Sequence, residues 1–236
     1  MNNDGSMTKK GMIMIFFDID GTLLDNETAQ TSAALALYRQ TPRLQDLYAE
    51  AEFPGIWNRV TETCFLRYTA GRITFQEQRQ ERLREILKKS LDETAVNAML
   101  KTYLKAYEDH WQLYPDVIPL LERYKDTPKG IISNGDRDQQ RRKLEKTGID
   151  PYFEVVVVSD DIGVFKPDPG IFEHAARLAG KAPSQCWYIG DRVDTDAKAA
   201  KDAGMTGVWI NRKFIDEKKE KVPEVISLND LNPSVE

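Results

Sequence analysis

Two aspartates near the start of the chain have the spacing of a reactive pair. Asp18 and Asp20 follow the apolar run 12–17, and Gly21 and Thr22 come directly after Asp20. An ionised carboxylate buried without a cation or hydrogen-bond donors costs several kcal/mol, so such a pair is poorly suited to a core. The pattern therefore predicts a functional site at the end of a strand, with positive charge or donors supplied by the rest of the chain.

The elements that must position this pair are short apolar runs of four to six residues, several of them rich in Val or Ile. Such runs are typical of strands buried on both faces of a parallel sheet. They are 12–17, 130–133, 155–159, 187–190 and 208–211. Helical patterns at 138–147, 169–179 and 195–203 alternate with the later runs, and each ends at a glycine. This alternation predicts an α/β fold with a doubly wound parallel sheet.

One long segment interrupts this alternation. Residues 26–111 contain helical patterns and no strand-like run, and two capping-box spacings, Thr74 to Glu77 and Ser90 to Glu93, predict helix starts there. We therefore expect an all-helical cap over 26–111, inserted into a core formed by 11–25 and 112–236. Residues 1–10 lack the apolar segment of a signal peptide, and we expect them to be a disordered leader or tag.

Polar groups follow the predicted strands at the edge where such sheets bind ligands. Asp18 and Asp20 follow the first strand and Ser133-Asn134-Gly135 the second. Lys166 follows the third, and the segment 190–196, Gly-Asp-Arg-Val-Asp-Thr-Asp, follows the fourth. We expect these groups to meet at one site.

These four motifs, in this order over residues 12–211, resemble the haloacid dehalogenase (HAD) superfamily. The segments 149–153 and 166–169 are similar to its phosphatase-type branch, which has a helical, C1-type cap after the first motif. The cap segments 57–58 and 71–82 resemble those of pyrimidine 5′-nucleotidase-like members. The resemblance implies a Rossmann-like core and phosphoryl-transfer chemistry.

The resemblance implies different roles for the two aspartates. Asp18 would be the nucleophile that attacks phosphorus and forms an aspartyl-phosphate. Asp20 would be the general acid that protonates the leaving group and then the base that activates water. Two carboxylates with different roles need different environments.

The resemblance also implies a Mg²⁺ site. Its ligands would be the Asp18 side chain, the Asp20 backbone carbonyl and Asp191, with water and phosphate oxygens completing the shell. Asp196 would support the metal, and Asp194 is either a competitor for that role or the N-cap of the following helix.

The remaining motifs would hold the phosphate. Ser133 and the backbone N–H of Asn134 would donate hydrogen bonds to phosphate oxygens, with Gly135 keeping the turn open. Lys166 would pair with both the phosphoryl group and Asp18, keeping the nucleophile ionised.

The substrate is less well defined by sequence. Phe53 and Trp57 either reach the site from the cap, where they would stack on a base, or pack inside the cap. A nucleoside monophosphate, phosphoglycolate and small sugar phosphates are all compatible with the motifs. The principal expectation is a Mg²⁺-dependent phosphomonoester hydrolase. The alternatives are a β-phosphoglucomutase-like phosphomutase, a 2-haloacid dehalogenase, which Asp20 disfavours, and a non-catalytic binding protein.

Composition restricts the partners and the compartment. The net charge of −5 disfavours a nucleic-acid polymer or an anionic membrane as partner. The chain contains no apolar run near the roughly 20 residues of a membrane helix. Its two cysteines, Cys64 and Cys186, have no metal-ligand spacing, which favours a reducing, cytoplasmic compartment. We expect a small phosphorylated metabolite as partner, whereas the sequence does not define the oligomeric state.

Overall fold

The computed structural model describes residues 13–88, 92–215 and 222–233, so the predicted leader 1–10 lies outside the described residues. The chain divides into two compact units. The core unit comprises the described residues up to Leu23, then Tyr114–Ser133 and those from Gly148 onward. The helical unit comprises Leu24–Leu113 and Asn134–Thr147.

The core unit contains one six-stranded parallel sheet, which confirms the predicted fold class. Its strands are β1 (Met14–Phe17), β2 (Lys129–Ser133), β3 (Val155–Val158), β4 (Cys186–Gly190), β5 (Thr206–Ile210) and β6 (Glu224–Val225). The spatial order is β3-β2-β1-β4-β5-β6, so the winding direction reverses at β1. A crevice at such a reversal is where doubly wound sheets bind ligands.

The register of the sheet places large side chains next to β1. Phe16 lies between Gly130 of β2 and Tyr188 of β4. A Cβ on Gly130 would lie 2.5 Å from the Phe16 ring, so only glycine leaves room for that ring. Phe16 and Tyr188 also belong to the hydrophobic cluster on that face of the sheet, together with Phe172. This packing fixes the strand end that carries Asp18.

The helices of the core unit are α6 (Val117–Arg123), α8 (Ser159–Ile162), α9 (Pro169–Leu178) and α10 (Ala199–Asp202). Asp168 caps α9 as predicted, because its Oδ1 accepts a hydrogen bond of 2.8 Å from the Gly170 N–H. The helix predicted over 195–203 begins earlier, as a π-helical turn over Val193–Lys198 that α10 continues. Asp194 therefore lies inside this turn, and the prediction that it is an N-cap is wrong.

The helical unit contains α1 (Asn26–Arg39), α2 (Pro42–Leu47), α3 (Phe53–Thr69), α4 (Phe75–Leu87), α5 (Glu93–Asp109) and α7 (Arg137–Thr147). The capping box of Thr74 and Glu77 is confirmed, with reciprocal bonds of 3.1 and 2.7 Å. Asp92 caps α5, whose first residue is Glu93, and Ser90, from which a capping box was predicted, lies outside the described residues. The structure groups α7 with this unit.

The interior of the helical unit is rich in aromatic rings. Phe53 and Trp57 are fully buried, with ring centroids 6.2 Å apart, and Trp57 packs on Tyr103 at 4.5 Å. Tyr38 and Tyr48 pack against the other side of Phe53. Both rings are buried by packing within their own unit. The hypothesis that Phe53 and Trp57 contact substrate is therefore wrong.

Among the described residues, no helix has the length and apolar character of a membrane span.

Candidate active site

Five of the predicted site residues meet at the carboxyl ends of the central strands. Asp18 follows β1, Ser133 ends β2 and Asp191 follows β4. Lys166 comes from the loop after α8, and Asp196 from the π-helical turn. Parallel pairing brings these ends together, since the Asp18 N–H donates to the Ile189 carbonyl at 2.9 Å. Asp18, Ser133, Lys166 and Asp196 are all buried.

Lys166 is the central cation of the site. Its Nζ lies 3.0 Å from Asp18 Oδ1 and 2.7 Å from Asp196 Oδ1, and its side chain is only 4% exposed. Burial alone would lower the pKa of Lys166, but the attraction of Asp18 and Asp196 outweighs it and raises the pKa. The ammonium therefore stays charged between two carboxylates.

Tyr188 is a member of this network that sequence reasoning missed. Its hydroxyl accepts a hydrogen bond of 2.7 Å from Lys166 Nζ. The same hydroxyl lies 3.0 Å from Asp196 Oδ1 and 3.0 Å from the Ile132 carbonyl, and its single proton is donated to one of them at a time. Burial, with Asp196 and Asp18 nearby, raises the pKa of Tyr188. Its position in an apolar strand made it resemble a core residue.

Asp196 holds the lysine in place. Oδ1 accepts from Lys166 and is one of the two acceptors open to the Tyr188 hydroxyl, and Oδ2 accepts from the Arg192 N–H at 3.0 Å. The π-helical turn reaches this position because Gly190 has no side chain: a Cβ there would lie 2.4 Å from the Asp196 Cβ. Asp196 is thus committed to hydrogen bonds within the site, and it orients Lys166.

Nearby positive charge does not offset the burial of the acidic residues. Burial raises the pKa of Asp18 to about 6, although Lys166 opposes the shift. Burial, with Asp196 and Asp18 nearby, raises the pKa of Asp191 to about 8. Lys166 and Arg192 together therefore do not keep Asp18 and Asp191 at their ordinary pKa values, and a further cation would favour the ionised forms of these carboxylates.

The carboxylates have the arrangement of a metal site. One oxygen from each of Asp18, Asp191 and Asp196 lies within 4.8 Å of the others. Asp18 Oδ1 is buried, and its one charged neighbour at short range is Lys166 Nζ at 3.0 Å, among the residues that the structure describes. Gly21 lets the Asp191 carboxylate approach the loop closely, because a Cβ at that position would lie 2.3 Å from Asp191 Oδ2. Carboxylate oxygens in this arrangement are ligands that suit a hard divalent cation.

The loop that carries Asp20 is braced by a second buried ion pair. Its turn is closed by a bond from the Leu23 N–H to the Ile19 carbonyl at 2.9 Å. Arg212 Nη2 donates to the Thr22 carbonyl at 2.8 Å, and the guanidinium forms a bidentate pair with Asp116 at 2.9 and 3.0 Å. Neither Arg212 nor Asp116 was predicted, because their partners are far apart in sequence.

The structure also locates the remaining candidates. Asp20 is half-buried on its loop, and Asn134 follows Ser133 as the first residue of the second segment of the helical unit. Asp194 is exposed and lies outside the acidic group. Asp25, which had no predicted role, caps α1 by accepting from the Thr28 N–H at 3.1 Å.

Comparison with known proteins identifies relatives of this chain. The sequence profile of the haloacid dehalogenase-like hydrolases matches residues 14–204. Human N-acylneuraminate-9-phosphatase is 30% identical over 211 residues, covering 85% of this chain and 83% of that protein. Pyrimidine 5′-nucleotidase YjjG of Escherichia coli is 29% identical over 227 residues, covering 92% and 95%. The magnesium-bound crystal structure of the HAD-hydrolase YfnB of Bacillus subtilis shares the fold, with a TM-score of 0.76, 23% identity and coverage of 92% and 96%.

The chain belongs to the haloacid dehalogenase-like hydrolase family. The predicted superfamily and the predicted enzyme class, a hydrolase of the phosphatase type, are confirmed.

Proposed function

We propose that this protein is a Mg²⁺-dependent phosphomonoester hydrolase that works through an aspartyl-phosphate on Asp18. The observation that carries the proposal is the position of Asp18 Oδ1. This oxygen is buried and lies 3.0 Å from a buried ammonium. A carboxylate held in this way is a nucleophile whose ionised form is favoured.

In the first step an Asp18 oxygen attacks phosphorus, and the bond from phosphorus to the leaving oxygen breaks. Lys166 favours the ionised form of Asp18 and offers a positive charge to the phosphoryl group as it is transferred. Asp196 and Tyr188 keep the ammonium in place through bonds of 2.7 Å. The lysine therefore needs little rearrangement as charge moves.

Asp18 and Asp191 would hold Mg²⁺ with their carboxylates, and Asp20 would do so with its backbone carbonyl. The bound ion would neutralise phosphate charge and orient the attack. The raised pKa values of Asp18 and Asp191 support this assignment, because they indicate a shortage of positive charge around those two groups.

Asp20 would move the proton. As a general acid it would protonate the leaving oxygen, and as a base it would then take a proton from the water that attacks the aspartyl-phosphate. A haloacid dehalogenase displaces a halide, which leaves without a proton, so an acid at this position favours phosphate ester hydrolysis. Ser133 and the Asn134 N–H would donate hydrogen bonds to the phosphate oxygens.

The relatives support a small phosphorylated metabolite as substrate. Their names refer to an acylneuraminate 9-phosphate and to pyrimidine nucleotides, which are both small phosphate monoesters. Free, buried Cys64 and Cys186 support a reducing compartment such as the cytoplasm.

An assay on p-nitrophenyl phosphate tests the proposal. We expect turnover with Mg²⁺, loss of turnover with a chelator, and recovery when Mg²⁺ is restored. Activity that survives complete chelation would exclude the metal assignment. A panel of nucleoside monophosphates, sugar phosphates and phosphoglycolate would then rank the substrates by kcat/KM.

A further inference from the structure

An arginine from outside the four motifs holds the turn that carries Asp20. Arg212, which lies just after β5, donates from Nη2 to the Thr22 carbonyl at 2.8 Å. Thr22 is fully buried and is the second residue after Asp20. The turn itself is closed by the bond from the Leu23 N–H to the Ile19 carbonyl at 2.9 Å. Arg212 therefore holds the backbone that carries the Asp20 side chain.

Arg212 is connected to the same turn a second time, through Tyr114. Its guanidinium lies 3.9 Å from the centre of the Tyr114 ring, which is a favourable distance for a cation on an aromatic face. The Tyr114 N–H donates to the Leu23 carbonyl at 3.0 Å. Arg212 thus reaches the turn directly at Thr22 and through Tyr114 at Leu23. Two attachments restrict the turn more than one, because a single hydrogen bond would leave it free to pivot.

The guanidinium is itself held by a buried ion pair. Arg212 binds both carboxylate oxygens of Asp116, at 2.9 and 3.0 Å, and the two side chains are 13% and 8% exposed. Asp116 Oδ2 also accepts from the Ser227 hydroxyl at 2.7 Å and from the Leu228 N–H at 2.9 Å. Burial would raise the pKa of Asp116, but the hydrogen bonds from Arg212, Ser227 and Leu228 outweigh it and lower the pKa. The pair is therefore charged and fixed in orientation.

Stability alone is a weak reason for such a pair, because apolar side chains of similar volume are often as stabilising. What the pair supplies is geometry, since a planar guanidinium presents its donors to Asp116 and to the Thr22 carbonyl at fixed angles. Geometry matters at this turn: a Cβ on Gly21 would lie 2.3 Å from Asp191 Oδ2, so the turn has little room beside a proposed metal ligand. A displacement of about 1 Å in an active site can lower a rate by about 100-fold.

We propose that Arg212 is a positioning residue that aligns the Asp20 carboxyl for proton transfer to the leaving oxygen. It acts through the backbone of the turn, by holding the Thr22 carbonyl, rather than on the reacting atoms themselves. Asp116 in turn orients Arg212. This role rests on the proposed function, in which Asp20 is the general acid, and deepens it by naming the residue that sets the orientation of that acid.

Kinetics of the full-length protein with Mg²⁺ test this role. We expect Arg212→Met to lower kcat for glycerol 2-phosphate, an alkyl phosphate, by about 30-fold and kcat for p-nitrophenyl phosphate by about 3-fold or less, since only the alkyl leaving group needs the acid. KM should change little for either substrate. A merely structural role would lower both kcat values by the same factor, and that result would overturn the proposal.

Lys129→Met is the matched control. Lys129 is a 2% exposed cation that also holds backbone carbonyls, those of Tyr124 and Thr127, at 2.5 and 2.9 Å. It lies at the other end of β2 from Ser133. Its replacement should therefore lower stability while keeping the wild-type ratio of the two kcat values. A changed ratio in this variant as well would show that the ratio reports general destabilisation, and the proposal would fail.

A double variant tests whether Arg212 acts through Asp20. In the Asp20→Asn background, Arg212→Met should lower kcat for glycerol 2-phosphate by less than about 3-fold further, because residues that act through one another are not additive. A full further loss would contradict the proposal. If Arg212→Met does not fold, Arg212→Lys provides the same comparison with a smaller expected effect, since it keeps the charge opposite Asp116 but not the bidentate pair.

Hydrogen exchange followed by mass spectrometry tests the same role without activity. In the metal-free protein, we expect the amides of residues 19–23 to exchange about 10-fold or more faster in Arg212→Met than in the wild type. In Lys129→Met they should exchange as in the wild type. Unchanged exchange of this segment in Arg212→Met would refute the role of Arg212. If the wild type hydrolyses no phosphate ester, the proposed function fails, whereas the exchange result still decides whether Arg212 holds the turn.

Discussion

The Lys166 ammonium lies 3.0 Å from Asp18 Oδ1 in a buried ion pair, with a side-chain exposure of 4% for the lysine and 10% for the aspartate. A second carboxylate, that of Asp196, holds the other side of the ammonium at 2.7 Å. Lys166 thus links the proposed nucleophile, Asp18, to Asp196 on the π-helical turn.

Replacing Lys166 with Met should reduce both activity and stability. Removing one partner of a buried pair leaves the other charges uncompensated, which typically costs about 3–5 kcal/mol. We expect the free energy of unfolding in urea to fall by that order, and kcat with p-nitrophenyl phosphate to fall by about 100-fold or more. Lys198→Met is the matched control, because Lys198 forms an exposed pair with Asp202 at 2.6 Å that contributes less than about 1 kcal/mol. Equal losses in the two variants would contradict the role of Lys166.

Replacing Asp20 with Asn should affect substrates according to their leaving groups. General acid catalysis typically contributes about 100- to 10,000-fold, and it matters most when the leaving oxygen is a poor leaving group. We therefore expect a steep loss of kcat for an alkyl phosphate and a smaller loss for p-nitrophenyl phosphate, whose leaving group departs without a proton. The test is the ratio of the two kcat values in the variant and the wild type. An unchanged ratio would exclude Asp20 as the acid.

Replacing Gly190 with Ala should displace Asp196. The new methyl group would lie 2.4 Å from the Asp196 Cβ, so the π-helical turn must shift. Forcing extra atoms into a packed site typically costs about 1–3 kcal/mol, and we expect activity to fall with stability. Gly55→Ala in α3 is the control, since a Cβ there meets nothing within 4 Å and alanine is favoured in helices. A Gly190→Ala variant as active and stable as the wild type would refute this account of the turn.

Mg²⁺ should stabilise the protein more at pH 8 than at pH 5. The pKa of Asp191 is about 8 in the folded, metal-free protein, against an ordinary value of 3.8. Between these two pH values Asp191 is therefore protonated in the folded protein and ionised in the unfolded chain. The stability of the metal-free protein therefore falls as pH rises through this window. Mg²⁺ competes with that proton, and its binding stabilises the folded state.

Thermal unfolding with and without Mg²⁺ checks this pH dependence. We expect a rise in Tm of several degrees at pH 8 and a smaller one at pH 5. Asp191→Asn should lose the response at both pH values, whereas Asp194→Asn, at an exposed position in the same segment, should keep it. A response that is independent of pH, or retained by Asp191→Asn, would contradict the assignment of Asp191.

Much of the core unit follows from local patterns in the sequence. The strands around Asp18, Ser133 and Asp191 are short apolar runs bounded by polar residues, so their type and parallel pairing were predictable. The cap on α9 by Asp168 was predictable as well, because capping depends on neighbouring residues.

The features that were missed depend on contacts between distant parts of the chain. Tyr188 resembles any core residue until β4 places its hydroxyl beside Lys166, and Arg212 meets Thr22 across 190 positions. The π-helical turn begins before the predicted helix because Gly190 and Gly207 allow it to approach two strands closely. Phe53 and Trp57 resembled ligand contacts, and only the packing of the helical unit shows that they are buried.

The most direct test of the central claim is to trap the covalent intermediate. The protein is mixed with Mg²⁺ and a good substrate, quenched in acid and reduced with borohydride, which converts an aspartyl-phosphate to homoserine; mass spectrometry then locates the change. We predict reduction of Asp18 in the wild type and none in Asp18→Asn, which should also lack turnover. Modification of another residue, or turnover by the wild type without any trapped intermediate at Asp18, would contradict the proposal.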